Sequence, residues 1–263
     1  IEKAGGQNNA FTSNDITNYY ITLPKENLEQ AFRLESDRML GLAFTPKILE
    51  VQRQVVVEEF KQNYLNQPYG DIHLLLRPLA YKKHPYQWPT IGKEVSHIEN
   101  ATMDEVKSFF YKHYAPNNAI LVVAGDVELD QVKYLSEKWF GSIERREYHI
   151  RNIPTEPKQT KARILKVERD VPVDVIYKAF HMCARTHEDF FATDLISDIL
   201  SRGYSSRLNH SLVKEQKLFT NIDAFVGGSV DRGLFYFAGK LAPNITMQEA
   251  EKGIDAEIEK LKA

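Results

Sequence analysis

The sequence contains little cysteine, little net charge and no long apolar run. Cys183 is the single cysteine among the 263 residues, so an internal disulfide and a cysteine-based zinc site are both excluded. The net charge of −2 at pH 7 provides no basic field that would attract nucleic acid or an anionic membrane. No apolar run approaches the roughly 20 residues that a membrane-spanning helix needs. The composition predicts a soluble globular protein whose compartment, periplasmic or cytoplasmic if bacterial, stays unknown.

Several motifs of common enzyme classes are also missing. The sequence has no phosphate-binding loop, dinucleotide fingerprint, nucleophile elbow or kinase signature. It has 8 histidines, and no two of them have the spacing of one helical turn that a zinc-binding helix uses. A self-contained zinc helix is therefore excluded from these residues.

Strand and helix patterns alternate along the chain without the regular rhythm of a parallel sheet. This order predicts an α+β fold of two-layer, sheet-and-helix domains. The charged, proline-containing stretch 144–161 is predicted to be a linker, which divides the chain into domains at 1–150 and 151–263. The chain has no initiator methionine and closes on an amphipathic helix pattern. We therefore expect a piece of a longer protein, in which the first domain lacks its beginning and the second lacks its end.

Short local patterns predict individual strands and turns. Residues 118–126 combine a run of aliphatic side chains with a Gly-Asp turn, which is typical of a buried strand. The other predictions are strands at 162–168 and 173–180, a hairpin around Ser13-Asn14-Asp15, and a hairpin formed by 220–226 and 233–241.

Residues 46–67 predict a long helix with one unusual carboxylate. Thr45 can cap its start. Glu59 lies on the apolar stripe that should be buried, whereas Glu58 can reach water. A buried carboxylate needs a cation, a metal or several donors, so Glu59 is either half of an ordinary buried ion pair or a metal ligand. The stripe consists of Ile48, Val51 or Gln52, Val55, Val56, Glu59 and Asn63.

Short motifs occur in a fixed order along nearly the whole chain. They are Gly5-Gly6-x-x-Asn9-Ala10-Phe11-Thr12, Thr17-x-Tyr19-Tyr20, Arg53-x-Val55-Val56-x-Glu58-Glu59, His113-Tyr114-x-Pro116-x-Asn118, Val122-Val123-Ala124-Gly125-Asp126 and Leu200-Ser201-x-Gly203-x-Ser205-Ser206-Arg207-Leu208. With these motifs the chain resembles the pitrilysin/insulinase (M16) family of zinc metallopeptidases, the group that includes mitochondrial processing peptidase.

The resemblance implies a zinc metalloendopeptidase built from tandem α+β domains that close around an unfolded peptide. Zinc would be held by an inverted His-x-x-Glu-His motif, whose glutamate activates water, and by a later glutamate that matches Glu59. Gln52 occupies a position that is often acidic in relatives and would support the metal ligands. Asn9, Ala10 and Phe11 match the edge strand that pairs with the substrate backbone.

Two parts of the family pattern are absent from these residues. The His-x-x-Glu-His motif lies about 75 residues before the third ligand in such proteins and would fall before Ile1. No catalytic residue is therefore predicted in this fragment, and the fragment itself is expected to be inactive. The arginine and tyrosine that complete the site in some relatives match Val213 and Thr220 in this chain. A second M16-like subunit or a downstream repeat is expected to supply that pair.

Three interpretations of function follow. The first is a zinc-dependent endopeptidase, active as the full-length protein, that cleaves peptides or unfolded polypeptides bound as an added edge strand in a closed chamber. The second is a non-catalytic M16-like binding or assembly subunit that keeps the peptide groove without the metal. Histidines at the upstream motif would distinguish these two. The third is an unrelated α+β binding domain, which would require the ordered motifs to be coincidental.

Overall fold

The structure of the protein is a computed structural model that describes residues 1–147 and 152–262. Its contacts divide the chain into two compact units. Unit 1 comprises Ile1–Asn66 and Pro89–Pro154, and unit 2 comprises Gln67–Trp88 and Thr155–Ala263. Each unit combines helices with a small antiparallel sheet, so the predicted α+β class is confirmed. Among the described residues, no helix is both long enough and apolar enough to cross a membrane.

Five strands and eight α-helices make up most of the regular structure of the described residues. The strands are β1 (Gln7–Thr12), β2 (Thr17–Thr22), β3 (Val175–His181), β4 (Phe219–Gly227) and β5 (Leu234–Leu241). The helices are α1 (Leu28–Leu40), α2 (Pro46–Phe60), α3 (Ile72–Ala80), α4 (Val95–Glu99), α5 (Met103–His113), α6 (Leu129–Phe140), α7 (Phe190–Ser201) and α8 (Met247–Lys262). Two π-helical segments accompany them, Lys61–Leu65 after α2 and Asn209–Glu215.

In unit 1, aromatic contacts join the helices. The rings of Phe32 in α1 and Phe140 in α6 lie 6.3 Å apart in an edge-to-face arrangement. The rings of Phe44 and Phe110 are 5.3 Å apart in the same geometry. Arg146 donates to the carbonyl oxygen that follows α5, on Tyr114, at 2.8 Å. This guanidinium satisfies a carbonyl at the end of α5 that has no partner within the helix.

Unit 2 is organised around β5, the central strand of a sheet with the order β3–β5–β4. Both neighbours are antiparallel to β5, and His181 of β3 lies opposite Leu234. The predicted strand 173–180 and the predicted hairpin of 220–226 with 233–241 are thereby confirmed, with shifted ends. The core of this unit includes residues from the sheet, from α7, from α8 and from the π-helical segment with the residue before it, among them Leu200, Leu208, Leu212, Phe219, Phe237, Ala250 and Ile254.

Residues 67–88 pack with unit 2, although the sequence places them in the first predicted domain. The Tyr69 hydroxyl donates to the carbonyl oxygen of Val173 at 2.8 Å, and the Tyr81 hydroxyl donates to that of Arg232 at 2.9 Å. These partners are distant in sequence, so no local pattern indicates them. The division of the longer protein into domains at residues 150 and 151 stays a prediction.

Glu156, within the predicted linker, is a buried carboxylate of unit 2. It accepts hydrogen bonds from the backbone N–H groups of Lys82, Lys83 and His84 at 2.8, 2.8 and 3.0 Å. Burial alone would raise the pKa of Glu156, but the three donors favour the ionised form and hold the pKa below its usual value. The end of the predicted linker is therefore anchored to the segment after α3.

Two arginines continue this anchoring along the stretch 155–173. Arg163 donates to the carbonyl oxygens of Leu79 and Ala80 at 2.5 and 3.1 Å. Arg169 pairs with Asp71 at 2.9 Å. The stretch consequently runs alongside segment 67–88 in the opposite chain direction, although it forms no regular strand.

The predicted strands 118–126 and 162–168 are absent from the described structure. Their side chains face solvent, with Ile120 92% exposed, Val122 79% exposed and Ile164 75% exposed. A strand needs a neighbour that completes its backbone hydrogen bonds, and no described segment pairs with either stretch. Both predictions are wrong for the chain in this structure.

Candidate functional site

The β1–β2 hairpin of unit 1 carries the three residues predicted to bind substrate. Its turn is closed by the Ser13 N–H, which donates to the carbonyl oxygen of Ile16 at 2.8 Å, and this confirms the predicted hairpin. The strands are antiparallel, with Asn9 opposite Tyr20. Among the described residues β2 is the only neighbour of β1, so the other edge of β1 is open.

Alternate residues of β1 point their backbone groups toward this open edge. In an antiparallel ladder, hydrogen-bonded pairs alternate with pairs that are not hydrogen-bonded. Counting back two residues at a time from the bond between Ser13 and Ile16 shows that Asn9 bonds to β2 and that Ala10 does not. The Ala10 N–H donates instead to the Oδ1 atom of Asn9, at 2.8 Å. The N–H and C=O groups of Ala10 therefore face outward.

The side chains of β1 are accessible as well. Asn9, Ala10 and Phe11 are all exposed, and Phe11 exposes 52% of its surface. A core role for the Phe11 ring is therefore excluded in this structure. Contact of these three residues with a substrate stays a prediction.

Helix α2 carries the predicted metal ligand. Its start is capped by the Thr45 Oγ1 atom, which accepts a hydrogen bond from the Ile48 N–H at 3.3 Å, as predicted. The helix continues without a break into the π-helical turn Lys61–Leu65. Glu59 therefore lies in the last turn of α2, directly before the point where the backbone hydrogen-bond pattern changes.

Arg53 anchors α2, a role that sequence reasoning missed. Its guanidinium pairs with Glu50 and donates to the carbonyl oxygen of Ala101 at 2.6 Å. The feature of the sequence that could have indicated this role is the position of Arg53 in the same motif as Glu59. A cleft of about 350 Å³ adjoins this anchor, and Glu59 does not line it. The lining residues are Glu50, Arg53, Gln54, Val57, Glu58, Lys61 and Glu99.

The structure corrects the predicted burial of Glu59. The buried residues of α2 are Val57 and Phe60, which expose 7% and 2% of their surfaces. Val55, predicted to be buried, is 55% exposed, and Glu59 is exposed with it. The spacing of the apolar residues in α2 is compatible with more than one buried face. It does not indicate which face packs against another segment.

The carboxylate of Glu59 has no partner among the described residues. Its neighbour Glu58 pairs with Lys61 at 2.9 Å. No ion pair or hydrogen bond involves the Glu59 side chain within residues 1–147 and 152–262. The interpretation of Glu59 as half of a buried ion pair is therefore wrong.

The described residues alone do not form a zinc site. Within them, no group of three or more His, Cys, Asp and Glu side chains is arranged to hold a metal ion. Glu59 can supply one oxygen ligand, and Gln52 is exposed about two turns earlier on the same face of α2. Because zinc in proteins takes a full tetrahedral ligand set, the roles of Glu59 and Gln52 stay predictions.

Comparison with known sequences relates the chain to one peptidase family. A model described as Insulinase (Peptidase family M16) matches residues 1–94, and a model described as Peptidase M16 inactive domain matches residues 100–263. The zinc protease PqqE of Helicobacter pylori is 34% identical over 267 residues, which are 100% of this chain and 60% of that protein. The uncharacterized zinc protease YmxG of Bacillus subtilis is 24% identical over 260 residues, covering 95% of this chain and 60% of that protein.

Solved structures agree with these matches. The crystal structure of a protease from Helicobacter pylori has 34% sequence identity and a TM-score of 0.91, over 99% of this chain and 64% of that chain. The structure of a peptidase M16 inactive domain from Pseudomonas fluorescens has 21% identity and a TM-score of 0.87, over 99% of this chain and 63% of that chain. Because the Pseudomonas fluorescens structure has only 21% identity, its likeness to this chain shows the fold alone.

The chain spans 60% of the length of each of these two curated relatives. The family models nevertheless match nearly all of its residues, and the model of the inactive domain alone matches more than half of them. The resemblance predicted from the ordered motifs is confirmed. This chain belongs to the insulinase family of peptidases, family M16.

Proposed function

We propose that the full-length protein is a zinc-dependent endopeptidase and that residues 1–263 contribute part of its metal and substrate sites. The observation that carries the proposal is Glu59, an exposed carboxylate with no partner in the described residues, which lies within the residues 1–94 that match the insulinase family model. Relatives of this chain named zinc proteases support the same reaction class. The alternative of a non-catalytic binding or assembly subunit is distinguished by the zinc measurement below.

For the metal, Glu59 would be one ligand and a His-x-x-Glu-His motif outside the 263 residues would supply the others. The exposed stripe of α2 supports this arrangement. Ile48, Val51 and Val55 expose 46%, 49% and 55% of their surfaces. They give a helix that carries the motif an apolar surface to pack against, and Glu59 lies at the end of that surface.

For the substrate, an extended polypeptide would add to the open edge of β1. The main chain of that polypeptide would form hydrogen bonds with the N–H and C=O groups of Ala10. Such bonds hold a peptide backbone without regard to its side-chain sequence. The Oδ1 atom of Asn9 would release the Ala10 N–H when the peptide strand arrives, so the donor is satisfied in both states. A closed chamber, with an arginine and tyrosine from a second M16-like subunit or a later repeat, belongs to the same proposal.

The zinc content of the full-length protein and of its Glu59→Gln variant tests the metal site. We expect about one zinc per chain in the natural protein and clearly weaker retention in the variant. Glu58→Gln is the matched control, because Glu58 is also exposed but pairs with Lys61. Absence of zinc from the natural protein would support the non-catalytic subunit. Zinc that is retained equally in both variants would remove Glu59 from the site.

Peptide cleavage by the full-length Ala10→Pro variant tests the strand edge. Proline removes one outward N–H and is tolerated at a sheet edge, so we expect kcat/KM to fall about tenfold, the effect of one lost hydrogen bond. Ala10→Ser keeps the N–H and should cleave at the natural rate. Full activity of the proline variant would show that substrate does not pair with β1 at Ala10.

A further inference from the structure

Arg53 joins α2 to a second element of unit 1 through its guanidinium. One terminal nitrogen pairs with Glu50, one turn earlier in α2, and the other donates to the carbonyl oxygen of Ala101 at 2.6 Å. Ala101 lies between α4 and α5, directly before Thr102. Other side-chain bonds of α2, such as the one between Gln54 and Glu50, stay within the helix. The bond to Ala101 therefore ties α2 to the start of α5.

The acceptor of this bond is itself fixed. Thr102 begins α5 with a reciprocal cap, in which its N–H donates to the Glu105 carboxylate at 2.8 Å and its Oγ1 atom accepts from the Glu105 N–H at 3.3 Å. On the other side, the Ala101 N–H donates to the carbonyl oxygen of Ile98 in α4 at 3.3 Å. The backbone is held before and after the Ala101 carbonyl, so Arg53 connects α2 to a fixed point of unit 1.

Arg53 and Glu59 lie on different sides of α2. Their six-residue separation in the sequence corresponds to about 9 Å along the helix axis and about 120° around it. Arg53 can therefore affect a metal ion bound by Glu59 only by fixing the helix. A carboxylate at about 5–6 Å from the axis moves by about 2 Å when the helix rotates by about 20°. Since metal–ligand distances tolerate only about 0.2 Å, such a rotation would remove Glu59 from the metal.

The contacts of Arg53 are better suited to prevent this rotation than the buried face of α2. Val57 and Phe60 expose 7% and 2% of their surfaces and pack by apolar contacts, which have no preferred direction. A hydrogen bond is directional and weakens as its angle departs from linearity. The Nε atom of Arg53 is buried without a hydrogen-bond partner among the described residues. Because such a donor costs stability, the benefit of Arg53 lies in orientation.

We propose that Arg53 is a positioning residue of the metal site, which holds α2 in the rotation that keeps the Glu59 carboxylate at the metal. The inference rests on the proposed function, since it requires that Glu59 binds zinc. Arg53 contacts neither the metal nor the substrate in this role and acts through the helix. Loss of its guanidinium should therefore weaken zinc binding, and the weakening should depend on the presence of Glu59.

The zinc affinity of the full-length protein, measured by competition with a chelator, tests the proposal. We expect Arg53→Met to weaken zinc binding about tenfold, the lower end of the range for residues that support metal ligands. Arg163→Met is the matched control and should keep the natural affinity, because Arg163 also donates to backbone carbonyls but lies in unit 2. Natural affinity in Arg53→Met would overturn this proposal alone. Absence of zinc from the natural protein would instead overturn the proposed function on which it rests.

A double-mutant cycle shows whether Arg53 acts through Glu59. In the Glu59→Gln background, Arg53→Met should change the zinc affinity by less than about twofold, because the ligand that Arg53 positions is already lost. An equal loss in both backgrounds would indicate general destabilisation and would overturn the proposal. If Arg53→Met does not fold, Arg53→Lys replaces it. Lysine keeps the charge without the rigid fork, so zinc binding should weaken by a smaller factor, and natural affinity in that variant would contradict the proposal.

Discussion

The two units contain similar apolar runs and bury them to different extents. In unit 2, β5 has a strand on each side, and Leu234 and Phe237 expose only 2% and 3% of their surfaces. In unit 1, Ile120 and Val122 belong to an equally apolar run and are almost fully exposed. The comparison teaches that an apolar run becomes a buried strand only where neighbouring strands complete its hydrogen bonds and other layers cover its faces.

Helices show the same contrast. Ile254 of α8 in unit 2 is fully buried, at 0% exposure, because α8 packs on the core around the sheet. Val55 of α2 in unit 1 is 55% exposed on a helix that is also apolar on one side. An amphipathic pattern therefore indicates a surface capable of packing, and the rest of the fold determines whether it packs.

The largest expected effect compares one substitution in the two units of the 263-residue chain. Ile254→Ala leaves a cavity in the core of unit 2 and should lower the free energy of unfolding by about 3 kcal/mol. Ile120→Ala removes the same atoms from a residue that is 92% exposed and should change it by less than about 0.5 kcal/mol. Urea unfolding followed by circular dichroism measures both. Equal losses of unfolding free energy in the two variants would contradict the difference in burial between the two units.

A pair of glycines sharpens the comparison between packed and open backbone. A Cβ atom at Gly239 in β5 would lie 2.5 Å from the Cε1 atom of Phe219, so Gly239→Ala should cost about 1–3 kcal/mol of stability through overpacking. Gly41, which follows α1 in unit 1, has an extended backbone and no atom within 4 Å of that position. Gly41→Ala should therefore leave the urea midpoint nearly unchanged. A marked loss there would show that unit 1 is packed more tightly than the structure indicates.

Acid should weaken unit 2 through Glu156. Its pKa in the folded protein lies below the ordinary value of 4.5, so its contribution is present above that value and is lost as the pH falls through the lowered pKa. Glu156→Gln should be less stable than the natural chain at neutral pH, and the difference should shrink in acid. Urea midpoints measured between about pH 6 and pH 3 test this. Glu188→Gln, at an exposed position of unit 2, is the matched control substitution.

The smallest expected effects are equal in the two units. Thr45 caps α2 in unit 1, and Thr246 caps α8 in unit 2 by accepting from the Glu249 N–H at 3.3 Å. Replacing either threonine by alanine should cost about 1 kcal/mol, because capping is a local interaction. Urea unfolding of the two variants measures the losses. A clear excess in unit 2 would show that the reciprocal bond from Thr246 to Glu249 adds to the cap there.

Local features of the fold were predictable from sequence, and the features that depend on distant partners were not. The Thr45 cap and the turn after Ser13 follow from residues a few positions apart, and the structure confirms them. The strand predicted at 118–126 failed because pairing needs a neighbour that no local pattern specifies. The packing of segment 67–88 in unit 2 depends on partners such as Val173, and the spacing of residues in the sequence does not indicate these contacts.

The candidate site divides in the same way. The position of Glu59 in the motif is read directly from sequence, whereas its burial was predicted wrongly because burial depends on which face of α2 is covered. The assignment of Asn9, Ala10 and Phe11 came from family resemblance. The outward direction of the Ala10 N–H required the register of the hairpin, which only the structure provides.

The anchoring of the stretch 155–173 along segment 67–88 has a consequence for limited proteolysis. Lys166 is exposed in a region without regular structure, which makes the bond after it accessible to trypsin. The stretch is held on the N-terminal side of that bond by Glu156 and Arg163, and on the other side by Arg169. We therefore expect a single cut to yield two fragments on a denaturing gel that still migrate as one species under native conditions.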